Sequence, residues 1–123
     1  DRQRYFFAHM LEAQQIALDA IRPGIPCSEV NDAVRRYLDA HDLQPYARHH
    51  SGHGLGMEIH ESPFLDSGDG TLLDPGMCFS CEPGLYVPGV GGFRHSETVV
   101  VTETGREILT NYPRDLASLI IPV

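Results

Sequence analysis

Histidine and glutamate are concentrated in one short stretch of the sequence, residues 49–61, which holds four histidines and two glutamates. Imidazole and carboxylate groups are the ligands that divalent manganese, iron, cobalt and zinc select. His53 lies between Gly52 and Gly54, where backbone crowding is least and the ring can reach an ion. His60 is a candidate for proton transfer, because the ordinary pKa of a histidine side chain is close to neutrality.

Two further glutamates lie next to predicted strands. Glu82 follows an apolar run, and Glu97 precedes the apolar residues 99–101. A carboxylate among apolar neighbours is costly unless it is paired or bound to a metal. A single histidine or glutamate more often has a structural or surface role, so spacing alone leaves the metal site open.

Two helices are predicted near the start of the chain. Apolar residues recur at steps of three or four over residues 2–21, and Arg22-Pro23-Gly24 ends this helix. A second helix is predicted from an N-cap at Ser28 to about Ala40. The predicted buried positions are Phe6, Met10, Ala13, Ala17 and Ile21 in the first helix and Val30, Ala33, Val34, Tyr37 and Leu38 in the second.

Beyond residue 44 the helical periodicity stops, and glycine, proline and histidine become frequent. Segments rich in β-branched and aromatic residues are predicted to form strands at 77–81, 85–87, 98–102 and 107–110. Residues 66–70 and 88–92 are predicted to be loops that lack a calcium-binding or phosphate-binding pattern. Helices followed by strands indicate the α+β class.

The three cysteines, Cys27, Cys78 and Cys81, argue against a disulfide-rich secreted domain. Cys78 and Cys81 form a Cys-x-x-Cys pair. The pair lies in a predicted strand rather than at a helix start, and no second pair completes a zinc site. We interpret all three cysteines as buried structural residues.

Composition narrows the class of protein and its partners. The chain has 123 residues, the size of one domain, and a formal net charge of −8. An acidic surface repels phosphate, which argues against nucleic acid and anionic membranes as partners. No apolar run approaches the roughly 20 residues of a membrane span, and no signal peptide pattern opens the sequence. We therefore expect a cytoplasmic protein, and the start within a helix suggests a piece of a longer chain.

Several short blocks of the sequence resemble the pita-bread metallopeptidases, in particular the Xaa-Pro aminopeptidase and prolidase branch that also contains creatinase. The blocks extend through nearly the whole chain, at residues 22–24, 51–56, 59–61, 82–86, 92–94 and 99–105. The resemblance implies that residues 1–123 form the C-terminal portion of a catalytic domain, with two N-terminal helices packed on a curved, mostly antiparallel sheet. It also implies a metal-dependent peptidase that cleaves between an N-terminal residue and proline.

The resemblance implies roles for individual residues. His60 and His49 match histidines that contact the substrate, and His60 also helps to stabilise the tetrahedral intermediate. Tyr86 and Arg94 match residues that orient a metal-bound aspartate.

The implied cofactors are divalent ions of manganese, cobalt, zinc or iron, two per complete site. Two aspartates, one histidine and two glutamates hold them in the family, and His53 and Glu82 match two of these ligands. The aspartates precede the first helix, so this chain lacks them. The second glutamate position is Ser96 here, and Glu97 follows it. A one-residue shift turns a strand side chain to the other face, so Glu97 becomes a metal ligand only with a β-bulge.

Three functions stay open at this point. The first is the Xaa-Pro peptidase, which acts on peptides. The second is a creatinase-like, metal-independent hydrolase of a C–N bond in a small amide, which Ser96 motivates. The third is a catalytically inactive fragment or pseudo-peptidase that serves as a binding module. We expect the chain by itself to be inactive, and to associate into homo-oligomers through its uncovered strand edges and apolar faces.

Overall fold

The computed structural model describes residues 1–122 and begins with two helices that pack against each other. Helix α1 spans Arg2–Ala20 and helix α2 spans Cys27–Ala40. The predicted apolar stripe of α1 is confirmed, and Gln14 and Leu18 widen its buried face. None of the helices within residues 1–122 combines the length and apolarity that a membrane span requires.

Helix α2 begins one residue earlier than predicted, so the predicted N-cap is wrong. Pro26 is the N-cap residue, and Ser28 lies inside the first turn. Backbone N–H groups at the start of a helix need acceptors from outside it. Cys27 and Ser28 donate theirs to the carbonyl oxygens of Thr71 and Asp69. The start of the helix is therefore held by a loop backbone and needs no side-chain cap.

Seven strands follow the helices and pair in antiparallel fashion. They are β1 (Gly52–Gly54), β2 (Glu61–Leu65), β3 (Cys78–Cys81), β4 (Gly84–Val87), β5 (Gly91–Arg94), β6 (Glu97–Thr102) and β7 (Gly105–Ile108). Five of them form one sheet in the order β2-β1-β3-β6-β7, and β4 and β5 form a separate hairpin. A 3₁₀ turn at Gln44–Tyr46 precedes β1, and a short helix α3 at Leu116–Leu119 follows β7. This arrangement confirms the α+β class.

The strands differ from the prediction where glycine and histidine dominate the sequence. β3, β4, β6 and β7 are predicted strands, although β7 starts two residues before its predicted bound. β1 and β2 are strands that the sequence did not indicate. The predicted loop at 88–92 is shorter than expected, because Gly91 already begins β5. The loop at 66–70 is confirmed.

The core lies between the two helices and the five-stranded sheet. Phe79 of β3 and Val99 of β6 are fully buried together with Met10 and Leu18 of α1. Among the described residues, their side chains belong to one continuous cluster of buried apolar residues. The sheet therefore has one face against the helices, and its loops and strand ends are free to carry chemistry.

The prediction of buried cysteines is confirmed for two of the three. Cys27 and Cys81 are fully buried, and Cys78 is partly exposed. Burial raises the pKa of Cys27 to about 11 and that of Cys81 to about 12, so both remain neutral thiols at physiological pH.

Candidate metal centre

His53 occupies the middle of β1, a strand that is squeezed between β2 and β3. A Cβ atom at Gly52 would overlap the carbonyl oxygen of Ser80, and one at Gly54 would lie 2.6 Å from the carbonyl oxygen of Glu61. Only glycine fits on either side of the histidine. The Gly-His-Gly sequence therefore lets β1 run close to both neighbours, and the His53 side chain is only 3% exposed.

The hydrogen bonding of His53 determines which ring nitrogen carries the proton. Nδ1 lies 3.0 Å from the carbonyl oxygen of Gly54, which can only accept, so Nδ1 donates. In the neutral ring, Nε2 then carries a lone pair, and it lies 3.2 Å from Oε1 of Glu82. Two acceptor atoms that face each other at this distance need a cation between them, either a proton on His53 or a metal ion.

Glu82 is a carboxylate at neutral pH. Burial raises its pKa, but the hydrogen bond from Ser96 and the charges of Arg94 and His53 lower it more. The hydroxyl of Ser80 acts in the same direction, and the net result is a pKa below the ordinary value. A negative charge is therefore kept at the carboxylate that faces Nε2.

His60 completes the group. Its exposed ring lies beside that of His53, with ring centroids 4.0 Å apart and an angle of 36° between the planes. His53, His60 and Glu82 can each offer one ligand atom, and these atoms lie within 4.8 Å of one another. Two imidazole nitrogens and one carboxylate oxygen fit a borderline ion such as zinc, cobalt, iron or manganese.

The structure does not bring Glu97 into this group, which corrects its prediction as a metal ligand. The pairing of β3 with β6 is regular through Cys81 and Glu97, so the β-bulge that would turn Glu97 around is not present there. Glu97 is 2% exposed on the core side of β6. Its Oε1 lies 3.2 Å from Nε2 of His95 and 3.6 Å from Nε of Arg114.

Ser96 takes the place beside Glu82 instead, because its hydroxyl donates to Oε2 of Glu82 at 2.8 Å. The sequence drew attention to position 96 only as a departure from the family pattern. The contact itself depends on how β3 and β6 pair, and no local sequence signal reports that.

His49 and Tyr86 form a hydrogen-bonded pair at one side of the group. Nδ1 of His49 donates to the carbonyl oxygen of His50 at 2.8 Å, so the Tyr86 hydroxyl donates to Nε2 of His49, also at 2.8 Å. A Cβ at Gly84 would lie 3.0 Å from the Tyr86 oxygen, so glycine leaves room for this pair. His49 also lines a cavity of about 390 Å³ beside α2.

Arg94 lies at the end of β5, opposite Gly84 on β4. Its guanidinium group is exposed and contributes to the lowered pKa of Glu82. The structure thus gives Arg94 an electrostatic effect on a carboxylate, although not on the aspartate that the resemblance implied.

Comparisons with known proteins converge on one group of enzymes. The sequence matches the profile of Metallopeptidase family M24 over residues 1–103. It is 40% identical over 117 residues to "Probable dipeptidase PepE" of Mycobacterium bovis, an alignment that covers 95% of this chain and 31% of the relative. It is 39% identical over 116 residues to "Xaa-Pro dipeptidase" of Pyrococcus furiosus, covering 94% of this chain and 33% of that protein.

The fold gives the same result. The solved structure of "Xaa-Pro dipeptidase from Bacillus anthracis" aligns with a TM-score of 0.91 at 37% identity, over 94% of this chain and 33% of that one. The chain therefore spans about a third of the length of the relatives it matches.

Proposed function

Because the chain belongs to metallopeptidase family M24, we propose that it supplies part of the active site of a divalent-metal-dependent peptidase that cleaves between an N-terminal residue and proline. The fold corresponds to the C-terminal part of the pita-bread fold, in agreement with the resemblance. One observation carries the proposal: Nε2 of His53 faces the ionised Glu82 at 3.2 Å. The names of relatives such as "Xaa-Pro dipeptidase" support the substrate class.

His53 and Glu82 are the proposed metal ligands. A bound divalent ion would supply Lewis-acid polarisation of a carbonyl group and a lowered pKa of water. The carbonyl oxygen of Gly54 fixes the tautomer of His53, so that Nε2 is the nitrogen available to the ion. Arg94 and Ser96 keep Glu82 ionised.

His60 and His49 are the proposed catalytic residues. The exposed imidazole of His60, next to His53, is free to donate a hydrogen bond to the carbonyl oxygen of a bound peptide. Such a donor stabilises the negative charge that develops in the tetrahedral intermediate. His49 is held by His50 and Tyr86 in one orientation, and in the proposal its exposed ring forms one wall of the substrate pocket.

We further propose that residues 1–123 are the C-terminal portion of a catalytic domain, and that residues outside this chain complete the ligand set. The share of the relatives that the chain covers supports this proposal. In that arrangement the chain alone is inactive, and activity belongs to the longer protein.

The test uses the protein of natural length that contains this chain, with an Xaa-Pro dipeptide as substrate. We expect His53→Ala to abolish hydrolysis and the exposed control His41→Ala to leave it unchanged. Excess chelator should abolish activity as well. Full turnover in chelator would overturn metal dependence and favour the creatinase-like hydrolase. Absence of hydrolysis in the metal-loaded wild type would favour the inactive binding module.

A further inference from the structure

We propose that Ser96 is a positioning residue that reserves one oxygen of Glu82, so that the ligands of this chain hold one divalent ion and not two. This inference rests on the proposed metal dependence and adds to it the number of ions and the orientation of the carboxylate. It concerns only the residues of this chain.

The two oxygens of Glu82 have different partners. Oε2 accepts the hydroxyl proton of Ser96 at 2.8 Å, and Oε1 lies 3.2 Å from Nε2 of His53. A carboxylate has no proton to give, so Ser96 is the donor. Hydrogen bonds to an ionised acceptor are stronger than neutral ones, which favours this rotamer of the carboxylate. Oε1 is thus the oxygen directed to the histidine.

The position of Ser96 is fixed by the sheet. Cys81 and Glu97 are paired residues on β3 and β6, so Glu82 and Ser96 are the residues immediately beyond that pair and lie opposite each other. The buried side chain of Glu97 holds this strand end in the core, where it contacts His95 at 3.2 Å. The hydroxyl therefore reaches Glu82 from a rigid strand end.

The charge of the group also favours a single ion. Within residues 1–122, the cluster whose ligand atoms converge contains one carboxylate, Glu82, and two imidazoles. Two divalent ions a few ångströms apart repel each other strongly unless several carboxylates neutralise them. One carboxylate with a single free oxygen neutralises only part of the charge of one ion. Glu97 does not help, because its Oε1 faces His95 and Arg114.

The test measures cobalt(II) binding to the 123-residue chain by equilibrium dialysis and isothermal titration calorimetry. Three variants are compared with the wild type: Ser96→Ala, which removes the hydroxyl, Ser96→Thr, which keeps it, and Ser28→Ala as a control outside the site. Far-UV circular dichroism and thermal unfolding establish that each variant folds like the wild type.

We expect one ion per chain in the wild type. Loss of a partner that orients a ligand typically weakens metal binding about 10- to 100-fold, so Ser96→Ala should bind cobalt at least about tenfold more weakly. Ser96→Thr and Ser28→Ala should bind like the wild type. Two ions per chain, no bound ion, or an unchanged affinity in a folded Ser96→Ala variant would overturn the inference.

Peptidase activity separates this inference from the proposed function. One ion per chain with the expected Ser96 dependence, but no hydrolysis by the metal-loaded natural-length protein, would leave the inference intact and overturn the proposed function. Hydrolysis that depends on metal, together with unchanged cobalt binding in Ser96→Ala, would do the opposite.

Discussion

Gly52 on β1 lies so close to the carbonyl oxygen of Ser80 on β3 that no Cβ atom fits between them. Leu65 on the other neighbouring strand closes the remaining space, because its Cδ1 would lie 3.0 Å from the same Cβ. The position of His53 between two strands therefore depends on the absence of a side chain next to it.

Replacing this glycine should destabilise the sheet. We expect Gly52→Ala to lower the free energy of unfolding by about 2–3 kcal/mol, the range for overpacking a tight site. Urea denaturation measures the change. Gly70→Ala is the matched control, since a Cβ there meets nothing within 4 Å, and it should stay within about 0.5 kcal/mol of the wild type. Equal effects of the two substitutions would contradict the close packing of β1.

The role of His60 separates a substrate contact from a metal ligand. In the natural-length protein, we expect His60→Ala to lower kcat by about 10²–10⁴, the contribution of a positioned acid–base group. The metal content, measured by elemental mass spectrometry, should stay unchanged, whereas His53→Ala should lose metal. A parallel loss of metal in His60→Ala would instead assign His60 to the ligand set, which its distance from His53 and Glu82 also allows.

Asp69 gives the loop between β2 and β3 a pH-dependent contribution to stability. Its carboxylate accepts hydrogen bonds from the N–H of Phe64 at 2.8 Å and the N–H of Thr71 at 3.0 Å. The bond from Phe64 is the main cause of its lowered pKa, and burial opposes it. Because the folded-state pKa is below the unfolded value of about 3.9, this stabilisation is present above that pH. It is lost as the pH falls through the folded-state pKa.

We therefore expect Asp69→Ala to lower the free energy of unfolding by about 1–2 kcal/mol at pH 7, the net value of two such hydrogen bonds. The difference from the wild type should shrink as the pH is lowered below 4. Urea denaturation at several pH values measures it, with the exposed Asp39→Ala as control. A difference that does not change with pH would show that the ionised carboxylate is not the source.

Exposed apolar side chains predict that the 123-residue chain associates. Met57 and Ile59 are 102% and 77% exposed beside His60, and Leu109, Tyr112 and Ile121 are exposed near the end of the chain. Surfaces of this kind pack against another chain or against the rest of a longer protein. Light scattering should detect dimers or larger species. A monomer with a cooperative thermal transition would contradict the expectation.

The helices and the core strands were predictable because their signals are local. The stripe from Phe6 to Ala17 and the β-branched run of β6 need only a few neighbours to be recognised. β1 was missed, because glycine and histidine have low strand propensity and the strand exists only through its pairing with β2 and β3. β5 was missed for the same reason at Gly91 and Gly92.

The metal centre was predictable in its residue types but not in its geometry. His53 and Glu82 are far apart in sequence, and the pairing of β1 with β3 brings them together. The alternation of side chains along a strand already indicated that Glu97 and Ser96 face opposite ways. Only the structure shows that Glu97 ends in a buried contact with His95, while Ser96 contacts Glu82.

The unequal burial of the three cysteines has a practical consequence for labelling. A maleimide or iodoacetamide reagent attacks through the thiolate, and Cys27 and Cys81 are both buried and protonated well above neutral pH. Cys78 is partly exposed, at the first residue of β3, and its strand partner is Val100. A fluorophore attached to the native sequence would therefore report from the central strand of the sheet, on the same strand that leads to Glu82.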